Sequence, residues 1–346
     1  MINYMIRIAP HYCYSFLVSA TEFTAPVAPE SAQPYMPGSE ETFAQGLWHI
    51  LKSAISAVQP ELTDAAGICL SVIIISLILS LLNNFSKDAA LPLRLTGASI
   101  LGLLLLGPLD TLIHLGVNTV RELSNYCKLL LPVMTSALAA QGGTTTSAAL
   151  YAGTALFNAI LSAVITGLIV PALYIFLCFS VAYCAFEQEL LKKIRDLMKW
   201  VMTWLLKWTL YIFTGYIAIT GVISGTVDTS VLKAAKIGIS GAVPVVGGIL
   251  SDATEAILVS AGLMKNAAGM YGIFTALSIC VAPFLKIGIP YLVLKCTGGI
   301  TDTFGYKPTA TLVQDFSTGM GMVLAMTGTV CVLLMVSLVC FMKGIG

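Results

Sequence analysis

Apolar residues in this chain come in long unbroken runs, separated by short polar breaks. The clearest run, Ala65 to Leu82, has SVIIISLILSLL at its centre and no charged residue. About twenty such residues are needed to cross the hydrocarbon core of a bilayer. Asn83, Asn84, Ser86, Lys87, Asp88 and Pro92 form a polar break, and a second span is expected from Leu95 to His114. In 115–145 the charges Arg121, Glu122 and Lys128, together with Pro132, interrupt the pattern. This reads as an amphipathic or re-entrant element instead of a full crossing. Residues 147–187 are apolar almost throughout, with Pro171 near the middle, so either one kinked helix or two pieces meeting at Pro171 are expected. Val201 to Gly225 reads as a further span, entered past Trp204, Trp208 and Tyr211, aromatic types that favour the interface. Met270 to Lys295 and Gly319 to Met342 complete the set, with a polar connection over 297–314.

The pattern predicts an all-α, polytopic membrane protein of about six to seven spans, with re-entrant or interfacial broken helices. Composition agrees. The chain is 57% hydrophobic and 10% charged, with a mean hydropathy of +0.90. Soluble domains carry about a quarter charged residues. No basic stripe with interleaved aromatics is present, so nucleic acid is not an expected partner; the lipid bilayer is.

The N-terminus reads differently. Residues 1–20 resemble a secretory signal peptide: Arg7, a modest apolar stretch, then Val18-Ser19-Ala20. Residues 21–64 are expected outside the cytoplasm, first as a Pro-, Glu- and Ala-rich segment. Phe43, Leu47, Ile50, Leu51, Ala54, Ile55 and Val58 then recur at helical spacing, predicting a short amphipathic helix at the membrane surface. Residues 65–346 form the multi-pass domain. The densest basic cluster, Lys192, Lys193, Arg195 and Lys199, crowds the polar face of an amphipathic segment and marks the cytoplasmic side.

Catalytic chemistry has no foothold. The sequence holds no HExxH, GxSxG or GxxxxGK[ST] pattern. The nine cysteines form no CxxC pair, and His11, His49 and His114 are scattered. No metal, cofactor or enzymatic activity is expected.

One stretch fits neither a span nor a loop. Residues 226–272 carry Asp228, Lys233, Lys236, Asp252, Glu255, Lys265 and Asn266, and break at Pro244-Val-Val-Gly247-Gly248. Two short charged helices hinged at that break are expected. They either line a cavity or packing core within the membrane, or lie at its interface with their charges solvated. These residues, from Asp228 to Asn266, are the candidate partner or pore contacts. Asp110 and Lys286 are secondary candidates: each is a lone ionisable group in or near an apolar run, snorkelling from a span end or pairing across spans.

The same stretch resembles the stage III sporulation protein AE family. Asp228, Lys233, Ala235, Lys236, then Pro244-Val245-Val246-Gly247, then Ser260, Leu263, Lys265, Asn266 and Gly269 match the family's order. Lys233 stands where the family has Arg, and Asp252 and Glu255 exchange places with its acidic pair. The resemblance implies a permease-like core component of the channel complex between mother cell and forespore, in the mother-cell membrane around the forespore. The implied partners are the other subunits of that complex, including a secretion-type ATPase and ring-forming membrane proteins. A stand-alone secondary transporter and a non-conducting assembly platform remain the alternatives.

Overall fold

A computed structural model describes residues 26–38, 41–85, 90–140, 144–219, 267–304 and 306–345. No strand occurs among them. Six long helical runs account for nearly all of the described residues: α1 (Phe43–Phe85), α2 (Ala90–Ala140), α3 (Thr144–Val164) continuing through a π segment (Ile165–Ile169) into α4 (Val170–Phe186), α5 (Glu189–Ile219), α6 (Ala267–Asp302) and α7 (Lys307–Ile345). Five are long and apolar enough to cross a membrane; α5 is not among them. The protein is an all-α polytopic membrane protein.

The bundle is built around α7. Of its most apolar window 94% is buried, against 33–44% for the other four candidate spans. It packs against α6, α2, α3, α4 and α5, and its outward face is missing because neighbours surround it. Small residues allow the closest approaches. Gly116 on α2 faces Val323, and Gly319 on α7 faces Leu177 and Leu109. Hydrogen bonds add register: Asn158 donates to the Ser124 hydroxyl at 3.0 Å, and Thr154 meets Ser337 at 3.3 Å.

Several breaks expected from the sequence are not breaks. The amphipathic 43–58 segment is not a separate surface helix; it is the first half of α1, standing along the bundle. Its expected apolar face is real: Ile50, Ala54 and Val58 are buried, and Phe43 stacks on Phe274 of α6 at 5.5 Å. Packing on α6 holds the segment in line with the span, where a lipid surface would have laid it flat. For residues 115–140 the amphipathic alternative is the one realised, not the re-entrant one: they are the second half of α2, with Val120, Leu123, Cys127 and Leu130 facing inward. Arg121 and Lys128 interrupt the composition but point outward, so they leave the helix intact. Pro108 and Pro132 are accommodated inside it.

Pro171 behaves as one of the two expected alternatives. The run from 144 to 186 is a single helical path, and its five-residue π segment ends directly before Val170-Pro171. Proline removes a backbone donor and crowds the carbonyl four residues earlier. A local widening to the π pattern relieves that crowding without ending the helix. The polar connection expected over 297–314 is largely helical, with α6 described up to Asp302 and α7 from Lys307, because the Thr, Gly and Gln residues in it join the helices. The helix expected from Val201 begins earlier, since α5 takes in the basic segment from Glu189, and its described part is not among the candidate spans; 220–225 lie outside the described residues.

Candidate functional site

The charged stretch 226–266, with Asp228, Lys233, Lys236, Pro244, Gly247, Gly248, Asp252, Glu255, Lys265 and Asn266, lies outside the described residues. Its flanks are described. α5 ends beside the start of α3, where the Tyr216 hydroxyl donates to the Ala149 carbonyl at 2.7 Å. α6 begins beside the end of α7, where Gly269 faces Met342. Both flanks therefore sit at one end of the bundle, together with Phe43.

Asp110 and Lys286 are described and are not isolated. The Lys286 ammonium meets Glu61 of α1 at 2.9 Å, so pairing across helices is the alternative realised. Asp110 accepts from the Tyr174 hydroxyl of α4 at 2.6 Å and has His114 at 3.7 Å. These groups do not converge: Lys286 and Glu61 tie α6 to α1, and Asp110 ties α2 to α4. Both sides of the Lys286–Glu61 pair are about a third exposed. Pairs of that kind contribute about 0–1 kcal/mol. We expect Lys286→Met to change the unfolding midpoint of the purified protein little; a large drop would show the site to be drier than its exposure indicates.

The strongest electrostatic feature is at the opposite end, where α4 turns into α5. Arg195 is 7% exposed and its Nη1 meets the Asp315 carboxylate of α7 at 2.9 Å. Its Nε and Nη2 donate to Asp196 at 3.1 and 2.9 Å, and its guanidinium lies 4.9 Å from the Tyr183 ring centroid. All faces of one cation are thus used, as a buried charge requires. A second pair lies alongside. Glu187, in the left-handed region at φ 52°, forms the α4–α5 turn and meets Arg94 of α2 at 3.0 Å. Its N–H donates to the Tyr183 carbonyl, which closes α4. A left-handed residue at a helix end is usually glycine; a glutamate there puts a carboxylate at the turn at some conformational cost. Tyr306, buried below the turn, has its phenol pushed above its usual value by burial, then by neighbouring Cys184 and the Glu187 carboxylate, with Arg94 opposing. It stays neutral and acts as a hydrogen-bonding group.

This cluster joins α2, α4, α5 and α7. The sequence pattern sets Arg195 with Lys192, Lys193 and Lys199 in the basic cluster that marks the cytoplasmic side. The structure separates it from them: Lys193 and Lys199 are exposed, and Arg195 turns inward. The available signal was helical phase, since Ile194 and Met198, half-buried, flank Arg195 on the inner face. Asp315, its partner, falls just past the polar connection expected over 297–314.

The sequence matches the stage III sporulation protein AE family over residues 35–344. The chain belongs to that family. A relative named stage III sporulation protein AE, from Bacillus subtilis (strain 168), is 25% identical over 242 residues, covering 69% of this chain. The aligned part spans 60% of that relative's length. No solved structure matches the chain. The family match takes in the described bundle, both charge clusters and the 226–266 stretch, and with it goes a role in sporulation.

Proposed function

We propose that this stage III sporulation protein AE family member is a non-enzymatic, permease-like core component of the channel complex between mother cell and forespore. Its place is the mother-cell membrane around the forespore, and its partners are the other subunits, including a secretion-type ATPase and ring-forming membrane proteins. The observation that carries the reading is the family match across nearly the whole chain, on a bundle made for a bilayer. Lys192, Lys193 and Lys199 gather at the end where α4 meets α5, and positive charge favours the cytoplasmic side. That orientation directs the flanks of 226–266 away from the cytoplasm, towards the forespore.

The density of the bundle favours a component of a larger complex over a stand-alone transporter. The central helix is enclosed by its own neighbours, so a path for solute would require other subunits, further copies or the 226–266 stretch. Deleting the gene in its spore-forming host is expected to arrest forespores after engulfment and abolish heat-resistant spores. Normal spore yield would overturn the proposal. Solute uptake by the protein reconstituted alone would replace it with the transporter reading.

A further inference from the structure

The helices are too long for one bilayer. α2 has 51 residues and α1 has 43, or about 77 and 65 Å at 1.5 Å per residue. The hydrocarbon core is about 30 Å thick, and tilt rarely exceeds about 40°. Even a strongly tilted α2 leaves roughly half of itself outside.

We infer that only the half of the bundle next to the α4–α5 turn is embedded in lipid, and that the other half projects from the membrane as a folded stalk. Three independent observations place the boundary.

The first is a girdle of charge at mid-height. Glu61 meets Lys286, and Gly116 faces Ile287 and Val323, so these positions share a level. Asp110 and His114 of α2, with side chains 52% and 69% exposed, lie within two turns of it. On α5, Thr203 touches Met322, which puts exposed Lys207 at the same height.

The second is a change of outward face within single helices. Beyond the girdle, α2 shows Asn118, Arg121, Asn125 and Lys128 to the outside, with Leu129, and α1 shows Gln45, Lys52 and Gln59 among exposed Trp48, Leu51 and Ile55. On the other side α1 shows Leu70, Ile74, Leu77, Ile78 and Leu81, and α2 shows Leu95, Ile100 and Leu103. The stretch from Asp64 to Phe85 measures about 32 Å, which matches one hydrocarbon core. Lys199 and Lys295 fall inside this half, and each has a charge or ring of the protein beside it. Lys199 lies near Asp315, and the Lys295 ammonium sits 5.5 Å from the Tyr291 ring centroid.

The third is irregular backbone. Residues 26–38 form turns and a single 3-10 turn, not a long helix. They lie against the upper half: the Ala28 N–H donates to the Tyr271 hydroxyl at 3.2 Å, and Ser31 donates to Glu122 at 2.6 Å. Val27, Glu30, Gln33 and Pro34 are exposed there. Non-helical backbone facing lipid hydrocarbon would leave polar groups unsatisfied and is not found. The level of Glu122 and Tyr271 is therefore outside the hydrocarbon.

On this placement Tyr151, Leu156, Ile160, Tyr211 and Ile212, exposed on the projecting half, do not face hydrocarbon.

The test is the rate of cysteine modification in lipid nanodiscs, where both membrane faces are open to reagent and only depth matters. A hydrophilic, membrane-impermeant maleimide is the probe. Among the described residues the exposed native thiols are Cys178 and Cys296; both fall in the lipid half and are expected to stay unmodified in the folded wild-type protein. Ser56→Cys and Asn125→Cys are expected to react at least about tenfold faster than Ile74→Cys and Ser99→Cys, because thiolates do not form in hydrocarbon. Equal protection of Asn125→Cys and Ile74→Cys, or rapid modification of Cys178, would overturn the inference. The measurement needs no sporulation phenotype, so it stands or falls apart from the proposed function.

Discussion

Replacing Arg195 with alanine is expected to destabilise the protein by about 3–5 kcal/mol, the cost of leaving one partner of a buried pair uncompensated. Asp315 is the reason. Its side chain is 12% exposed, and the guanidinium at 2.9 Å is its one full charge partner by direct contact. In water the carboxylate would recover its hydration when the arginine left. Between α5 and α7 it does not. Removing both charges, as in Arg195→Met with Asp315→Leu, is expected to cost much less than the single change. The desolvation penalty then disappears along with the attraction. Thermal unfolding of the purified protein, followed by tryptophan fluorescence, gives the comparison. If the single variant unfolded at the wild-type midpoint, the carboxylate would have to be hydrated, and the cluster would not be a structural lock. A double variant as damaged as the single one would instead assign the loss to packing of the arginine stem against Tyr183.

The difference matters for how α5 is held. Exposed Leu190, Leu197, Trp200, Trp204 and Trp208 line its outer side, and over its described residues it is not among the helices apolar enough to cross alone. Hydrophobic burial by itself does not fix such a helix in rotation, because lipid would accept several apolar faces. A charge pair to the central helix does: Arg195 reaches Asp315 in one phase only. This is the registry use of buried polar groups, stated here for α5 and tested by the double variant, which should recover stability more fully than it recovers spore formation.

Much of the architecture was legible because the bilayer writes it in simple terms. Long apolar runs gave five helices that the bundle contains, and the amphipathic period at Phe43 to Val58 picked out the residues that are buried. Its destination was not legible. Period alone does not distinguish a face packed on lipid from one packed on α6. Arg121, Lys128 and Pro132 were read as interruptions because composition averages over all sides of a helix, whereas the fold needs only the inner side to be apolar. Arg195 was hidden in a run of lysines for the same reason. The Arg195–Asp315 pair spans 120 positions, and no local spacing announces it. The 226–266 stretch remains the richest part of the sequence signal, and the described bundle supplies its anchorage: two helix ends at one end of the bundle.

Gly116→Leu is expected to cost about 3 kcal/mol or more, at the upper end for overpacking a closed interface. A Cβ on Gly116 would stand 2.5 Å from Val323 Cγ1 and 3.1 Å from Met326 Cε. Methionine can swing aside. Val323 cannot: it is fully buried on α7, and a valine in a helix has essentially one rotamer. Either α2 moves away from α7 or the valine is strained. Because transmembrane helices gain no hydrophobic advantage from each other over lipid, close van der Waals contact at small residues is what holds them. A shift of α2 therefore removes the interaction it depends on, and it also drags the Asn158–Ser124 bond out of register. Gly107, two and a half turns away on the same helix, is the control. Nothing lies within 4 Å of a Cβ there, so Gly107→Leu should be tolerated within about 0.5 kcal/mol and gain helix propensity. Chemical unfolding of the two variants in the same detergent decides the matter. Equal midpoints would mean that α2 and α7 do not meet at Gly116, and the central position of α7 would fall with that contact.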